Sequence, residues 1–130
     1  MQLNHLDLQT PDVPATAEFF ERHFGFRILG NRASPAIIVL AGDGGLTLVI
    51  QRRGDGERYP DGFHVGFIVD EEAAVREVHA RLVAAGVPCG GISENRRGVM
   101  FYLRAPGDVV VEVSCRAGRS IGATDGTTAK

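Results

Sequence analysis

Three polar side chains stand where the surrounding chain is apolar. FHVGFIVD (63–70) reads as a buried strand, yet His64 lies near its start. His5 holds the same place in LNHLDLQ (3–9), and Glu112 interrupts VVVEVSC (109–115). An ionised carboxylate inside an apolar strand is costly unless it is paired or meets a cation. Taken singly, each residue has a plain explanation: a hydrogen-bonded core histidine, or a glutamate on an edge strand. Taken together they have one. Two histidines and a carboxylate can occupy one face of a metal's coordination sphere and leave the remaining positions open to substrate or water.

The elements that would carry these residues occur twice. In the first half, LNHLDLQ alternates as a strand does. A helix follows, with Asp12 suited to cap it, Pro14 in its first turn, Ala17, Phe20 and Phe24 on one face and Gly25 at its end. FRIL (26–29), AIIVLA (36–41) and LTLVIQ (46–51) read as three short strands. The second half repeats the order. FHVGFIV is the strand, and Asp70 can cap a helix that carries Val75, Val78, Leu82 and Val83 and stops at Gly86. VPCG (87–90), GVMFYLRA (98–105) and VVVEVSC then read as strands. Each half is therefore β-α-β-β-β, and a repeat of this kind supplies a register. With the two final turns aligned, Leu46–Ile50 falls on Val109–Val113 without a gap, so Glu112 corresponds to Val49. His5 corresponds to His64, and Asp7 to Gly66.

The bulk numbers agree with a globular domain of ordinary composition. The chain has 130 residues, 44% hydrophobic and 23% charged, with a net charge of −2. That balance provides no electrostatic reason for a nucleic-acid or acidic-membrane partner. No apolar run is long enough to span a bilayer, and MQLNHLDLQT lacks the layout of a signal peptide, so a cytoplasmic protein is expected. Cys89 and Cys115 show no zinc or redox spacing and read as small buried hydrophobes. The composition changes at the end. The expected domain is 1–116, with modules of about 1–56 and 61–116, and 117–130 reads as a flexible tail poor in large apolar residues, Arg116 and Arg119 being possible exceptions.

LNHLDLQTPDVPATAEFFERHFGFRIL, HVGFIVD and FYLRAPGDVVVEV together resemble the vicinal oxygen chelate superfamily, over about residues 2–115. That group includes glyoxalase I, fosfomycin-resistance proteins, methylmalonyl-CoA epimerase, extradiol dioxygenases and bleomycin-resistance binding proteins. The resemblance implies an α+β fold of two βαβββ modules forming a cupped mixed sheet around a metal. It places the ligands on the first and last strands of each module, which selects His5, His64 and Glu112. The ion implied is divalent: Fe, Mn, Zn or Ni. The family's fourth position falls on Val49, which can neither ligate nor take a proton, and Gln51 two residues on is an amide. Glyoxalase I chemistry is thereby disfavoured against dioxygenase-like or transferase-like chemistry. The usual aspartate-proline turn is altered to RAPGD, and no lysine precedes Lys130, which speaks against the fosfomycin-resistance reaction itself.

Two further residues are candidates for proton handling. Tyr102 precedes Glu112 by ten residues, where the resembled families often carry a tyrosine facing substrate, and its phenol can donate to an oxyanion. Asp7 shares a strand face with His5 and can orient a ligand or act as a base. Gly66, its counterpart, has no side chain and is expected to leave room for ligand. His23 and His79 lie on helices and read as structural. The function expected is a metal-dependent enzyme acting on a small oxygen-rich molecule, in a homodimer. The alternative is a metal-free protein that sequesters a flat drug, for which Phe101 and Tyr102 would matter more than the histidines.

Overall fold

The computed structural model describes residues 1–117. The tail expected from residue 117 on, including Arg119, lies outside the described residues apart from Ala117. The described residues divide into two compact units: Met1–Pro60 with Ala105–Val109, and Asp61–Arg104 with residues 110–117. Each holds a four-stranded mixed sheet and one helix, so the α+β fold of two βαβββ modules is observed. No helix among the described residues is long and apolar enough to cross a membrane.

In the first unit, β1 (His5–Thr10) leads into α1 (Val13–Phe24), then β2 (Arg27–Leu29), β3 (Ile37–Ala41) and β4 (Thr47–Arg52). The sheet order is β1-β4-β3-β2, with β1 parallel to β4 and the other pairs antiparallel. The Asp12 carboxylate caps α1 by accepting from Ala15 N at 3.1 Å, and Gly25 ends it in the left-handed region at φ 73°. Period-two alternation puts Leu8, Leu48 and Ile50 on the buried side with Ile38 and Leu40, and α1 contributes Val13, Ala17, Phe19 and Phe20 to this core. The helix start is fixed further by a buried hydroxyl pair. Thr16 Oγ1 donates to the Asp12 carbonyl (2.8 Å) and lies 2.9 Å from Thr10 Oγ1.

The second unit runs β5 (His64–Ile68), α2 (Glu72–Ala84), β6 (Ser93–Asn95), β7 (Gly98–Ala105) and β8 (Val109–Arg116), in the order β5-β8-β7-β6. Here β5 is parallel to β8, and β6 antiparallel to β7. Three sequence expectations are corrected. Asp70 does not cap α2; the cap position is Glu71, whose side chain makes no capping bond, because the helix begins one residue later than expected. Val83 is 52% exposed, whereas Val75 and Leu82 are fully buried. Val75, His79 and Leu82 fall at i, i+4 and i+7, and Val83 is turned away from that stripe. VPCG does not form a strand. It makes one isolated bridge, Cys89 to Leu103, since Pro88 lacks an N–H to extend the ladder and two glycines follow. The pairing resumes at β6, whose residues are all exposed and carry no apolar alternation.

The repeat register is observed residue by residue. His5 opposes Thr47 and Asp7 opposes Val49 in the first unit; His64 opposes Val110 and Gly66 opposes Glu112 in the second. In both units the histidine is the first residue of the first strand.

Two substitutions gauge the first unit. Asp12→Ala is expected to cost about 1 kcal/mol by loss of the cap, and Phe20→Ala about 3–5 kcal/mol by opening a cavity. Urea unfolding of the two variants beside the wild type reads both; equal effects would contradict the packing described.

Candidate functional site

The pleat of β8 sorts its residues to two sides. Val111, Val113 and Cys115 are buried along with Phe101 and Leu103 of β7, and the His79 ring of α2 meets Phe101 edge-on at 4.8 Å. Val110, Glu112, Ser114 and Arg116 alternate to the other side. Their ladder partners on β5 are His64, opposite Val110, and Gly66, opposite Glu112. Gly66 is required there by close approach. A Cβ at this position would lie 3.0 Å from the Glu112 carbonyl oxygen and 3.3 Å from Glu112 Cβ. The missing side chain lets the Glu112 strand and its carboxylate close up to β5.

On this side His64 Nε2 lies 3.3 Å from Glu112 Oε1. The other ring nitrogen, Nδ1, lies 2.8 Å from the Gly62 carbonyl. A carbonyl only accepts, so Nδ1 carries the hydrogen of that bond. With Nδ1 engaged, Nε2 is the nitrogen turned to the carboxylate oxygen. Two electron-rich atoms at that separation repel unless Nε2 takes a second proton or a cation is shared between them. One ion with bonds of about 2.1 Å reaches both atoms. The donor set is thus suited to a divalent metal: a neutral imidazole oriented by a backbone carbonyl, and an ionised carboxylate.

The charge on Glu112 is maintained by its neighbours. Burial pushes its pKa up, but the Ser114 and Tyr102 hydroxyls and the charges of Arg116 and His64 outweigh that and hold it below the ordinary glutamate range. The Tyr102 phenol in turn is held above its usual range, first by its hydrogen bond to Glu112 and then by desolvation. Its ring stands edge-on to His64 with centroids 5.7 Å apart. Ser114 is fully buried. Its hydroxyl is near enough to Glu112 to act on it, yet it makes no hydrogen bond of ordinary geometry. A buried hydroxyl left without an ordinary hydrogen bond costs about 1–3 kcal/mol, and here its proximity to the Glu112 carboxylate offsets that cost.

The first unit carries the equivalent positions with other chemistry. His5 is exposed at the start of β1. Asp7 accepts through Oδ2 from the Gln51 amide, and its Oδ1 is buried without a partner. Val49, facing Asp7 across the ladder, is buried. Of the residues expected from the sequence, His64, Glu112 and Tyr102 come together within one unit; His5 and Asp7 lie on β1 of the other. Among the described residues no three His, Cys, Asp or Glu side chains form a single cluster. Ser114 was missed by sequence reasoning, although its period-two spacing from Glu112 was available as a signal. His79 and His23 are structural as expected. His79 donates to the Gly90 carbonyl at 2.9 Å, and His23 packs on Phe19. Neither Cys89 nor Cys115 is in a disulfide; the second is buried and the first only partly so.

The sign of the Glu112 shift makes a pH prediction. A carboxyl whose folded pKa is depressed stabilises the fold above its unfolded pKa, and that contribution is lost as pH falls through the folded value. In metal-free protein, Glu112→Gln is expected to be less stable than wild type at neutral pH, the gap closing as the pH is lowered through the carboxylate range. Urea midpoints across that range check it; a gap independent of pH would contradict an ionised Glu112.

The comparisons with known proteins converge on one family. The model of the Glyoxalase/Bleomycin resistance protein/Dioxygenase superfamily matches residues 2–113. A solved structure described as a possible glyoxalase from Bacillus cereus is 34% identical, with a TM-score of 0.78 over 88% of this chain and 99% of that one. Fosfomycin resistance protein FosX from Listeria monocytogenes has a TM-score of 0.74 at 20% identity, covering 92% of this chain and 97% of its own. Lactoylglutathione lyase from Agrobacterium tumefaciens has a TM-score of 0.71 at 21% identity, over 88% and 92%. These last two likenesses concern the fold. No curated protein sequence matches the chain. With a family model covering most of its length, and the paired modules and strand register described above, the chain belongs to the glyoxalase/bleomycin resistance protein/dioxygenase superfamily.

Proposed function

We propose that the protein is a metal-dependent enzyme acting on a small molecule with adjacent oxygen atoms. The observation that carries this reading is the His64–Glu112 pair: an imidazole oriented through the Gly62 carbonyl, with its Nε2 3.3 Å from a buried carboxylate. His5 is the third ligand proposed, from its place as the counterpart of His64 in the repeat. The ion, Fe, Mn, Zn or Ni, would supply Lewis acidity toward a substrate oxygen. The protein's own groups do the rest. Tyr102, kept protonated beside Glu112, donates a hydrogen bond or a proton to an oxygen that gains negative charge. Asp7, steadied by Gln51, is the second candidate for moving a proton. Val49 provides no base where the other module has its carboxylate, so dioxygenase-like or transferase-like chemistry is favoured over that of glyoxalase I. A homodimer is the assembly proposed, since β1 and β5 are outer strands of their sheets and carry edge groups that a second copy can meet.

The second reading is a metal-free binding protein of the bleomycin-resistance type. It is favoured by the absence, among the described residues, of a third side chain clustered with the donor pair.

Metal analysis separates the two. Protein purified without chelator or nickel resin is expected to hold about one divalent ion per chain. His64→Ala, Glu112→Gln and His5→Ala should each lose most of it while staying folded by circular dichroism, and Tyr102→Phe should retain it. Wild-type protein that takes up no divalent ion from a series of the four metals overturns the enzyme reading.

A further inference from the structure

We propose that the segment following β4, residues 53–59, forms a binding site for a small oxyanion, a carboxylate or a phosphate group, held by the guanidinium groups of Arg53 and Arg58. These two side chains line an open cavity together with Gln9, Glu57 and Tyr59. The site lies wholly within the first unit and does not depend on the metal reading above.

The segment is built before any ligand arrives. Its two ends are tied to neighbouring residues of β1: Arg53 N donates to the Thr10 carbonyl at 2.9 Å, and the Tyr59 hydroxyl accepts from Gln9 N. Between them, residues 54–57 close a turn on themselves. Glu57 N donates to the Gly54 carbonyl at 3.2 Å, and Gly54 N donates to Glu57 Oε1 at 3.1 Å. Gly56, at φ 80°, supplies the left-handed residue that such a turn needs. A Cβ at position 54 would lie 2.8 Å from Glu57 Oε1, so the missing side chain is what lets the carboxylate fold back. The acid at the cavity is therefore engaged by its own loop, and Asp55 in the same turn does not line the space. Elsewhere Arg32 and Arg76 each meet a glutamate, but among the described residues neither the Arg53 nor the Arg58 guanidinium has a hydrogen-bond or ion-pair partner. Two positive groups at one cavity repel each other and are relieved by an anion shared between them. A guanidinium donates in a planar fork that matches the paired oxygens of a carboxylate or phosphate, and the Gln9 amide adds a neutral donor. The net charge of −2 provides no extended positive field, so the arrangement suits a small anion and not a polyanion.

The probes are inorganic phosphate and acetate, titrated separately and at constant ionic strength into the isotope-labelled full chain. NMR follows the backbone amides of Gln9, Arg53 and Tyr59 and the Nε–H signals of Arg53 and Arg58. Saturable shifts are expected at these groups, with an affinity that falls as sodium chloride is raised. Arg53→Gln and Arg58→Gln should each weaken binding about tenfold. Arg58→Lys keeps the charge without the fork and should weaken it less. Glu57→Gln retains an acceptor for Gly54 N and removes a negative charge, so it should tighten binding roughly twofold. The probe that saturates at the lower concentration names the anionic group. Shifts that rise linearly without saturating overturn the site. So do saturable shifts that survive unchanged in the Arg53→Gln/Arg58→Gln double variant, since the anion would then be held by something else.

Discussion

An imidazole nitrogen held against a carboxylate is the constraint around which the second unit is arranged. The Gly62 carbonyl engages one nitrogen of His64, and the parallel β5–β8 ladder decides what the other nitrogen faces. The surroundings act in the same direction: Ser114, Tyr102 and Arg116 all favour ionised Glu112 against the effect of its burial. The first unit does without such a charge and carries valine at the corresponding position 49, so the carboxylate is not a requirement of the scaffold itself. The persistence of charge at such a place is the physical basis for reading the pair as a cation site.

The duplicated architecture makes the asymmetry of the two units informative. Asp7 and Glu112 are both carboxylates on the non-helix side of their sheets, but they sit on opposite members of the same ladder pair. In the first unit the acid is on the opening strand with valine opposite; in the second it is on the closing strand with glycine opposite. Their partners differ accordingly. Asp7 meets an amide, whereas Glu112 meets a histidine and a phenol. One scaffold thus presents two carboxylates in different settings, and only the second is joined within its own unit by an imidazole.

Much of this was legible before any coordinates. A two-residue period is exact, so a gapless alignment of two final strands makes equivalent residues take equivalent ladder places, and the pairs Asp7–Val49 and Gly66–Glu112 correspond in the two units. The polar residues could be recognised because each interrupted an apolar strand. What escaped notice depended on weaker forces. The Asp70 cap failed because a helix start is a small local preference, easily displaced by one residue. The VPCG strand failed because apolar content suggested pairing, while proline and the following glycines had already removed it. Ser114 was overlooked because a serine in a strand looks innocuous. Its meaning arises only from complete burial without a hydrogen bond, which no sequence pattern displays.

The same failed strand has a structural consequence. Had segment 88–90 continued as a regular strand beside β7, its side chains would have filled the space next to Tyr102 as neighbouring strands do. With only the Cys89–Leu103 bridge formed, the segment touches β7 at its two ends, through Gly90–Tyr102 and Pro88–Arg104, and the side of the sheet toward Val110 is left uncovered. His79 then holds the segment from α2, so the gap does not close by collapse. The residue type that defeated the strand expectation, a proline without an N–H, therefore also leaves an open groove along β7 beside Tyr102. Function on a shared scaffold lives in the side chains at the site and in irregular segments such as this one, because a regular ladder and core serve many sites alike.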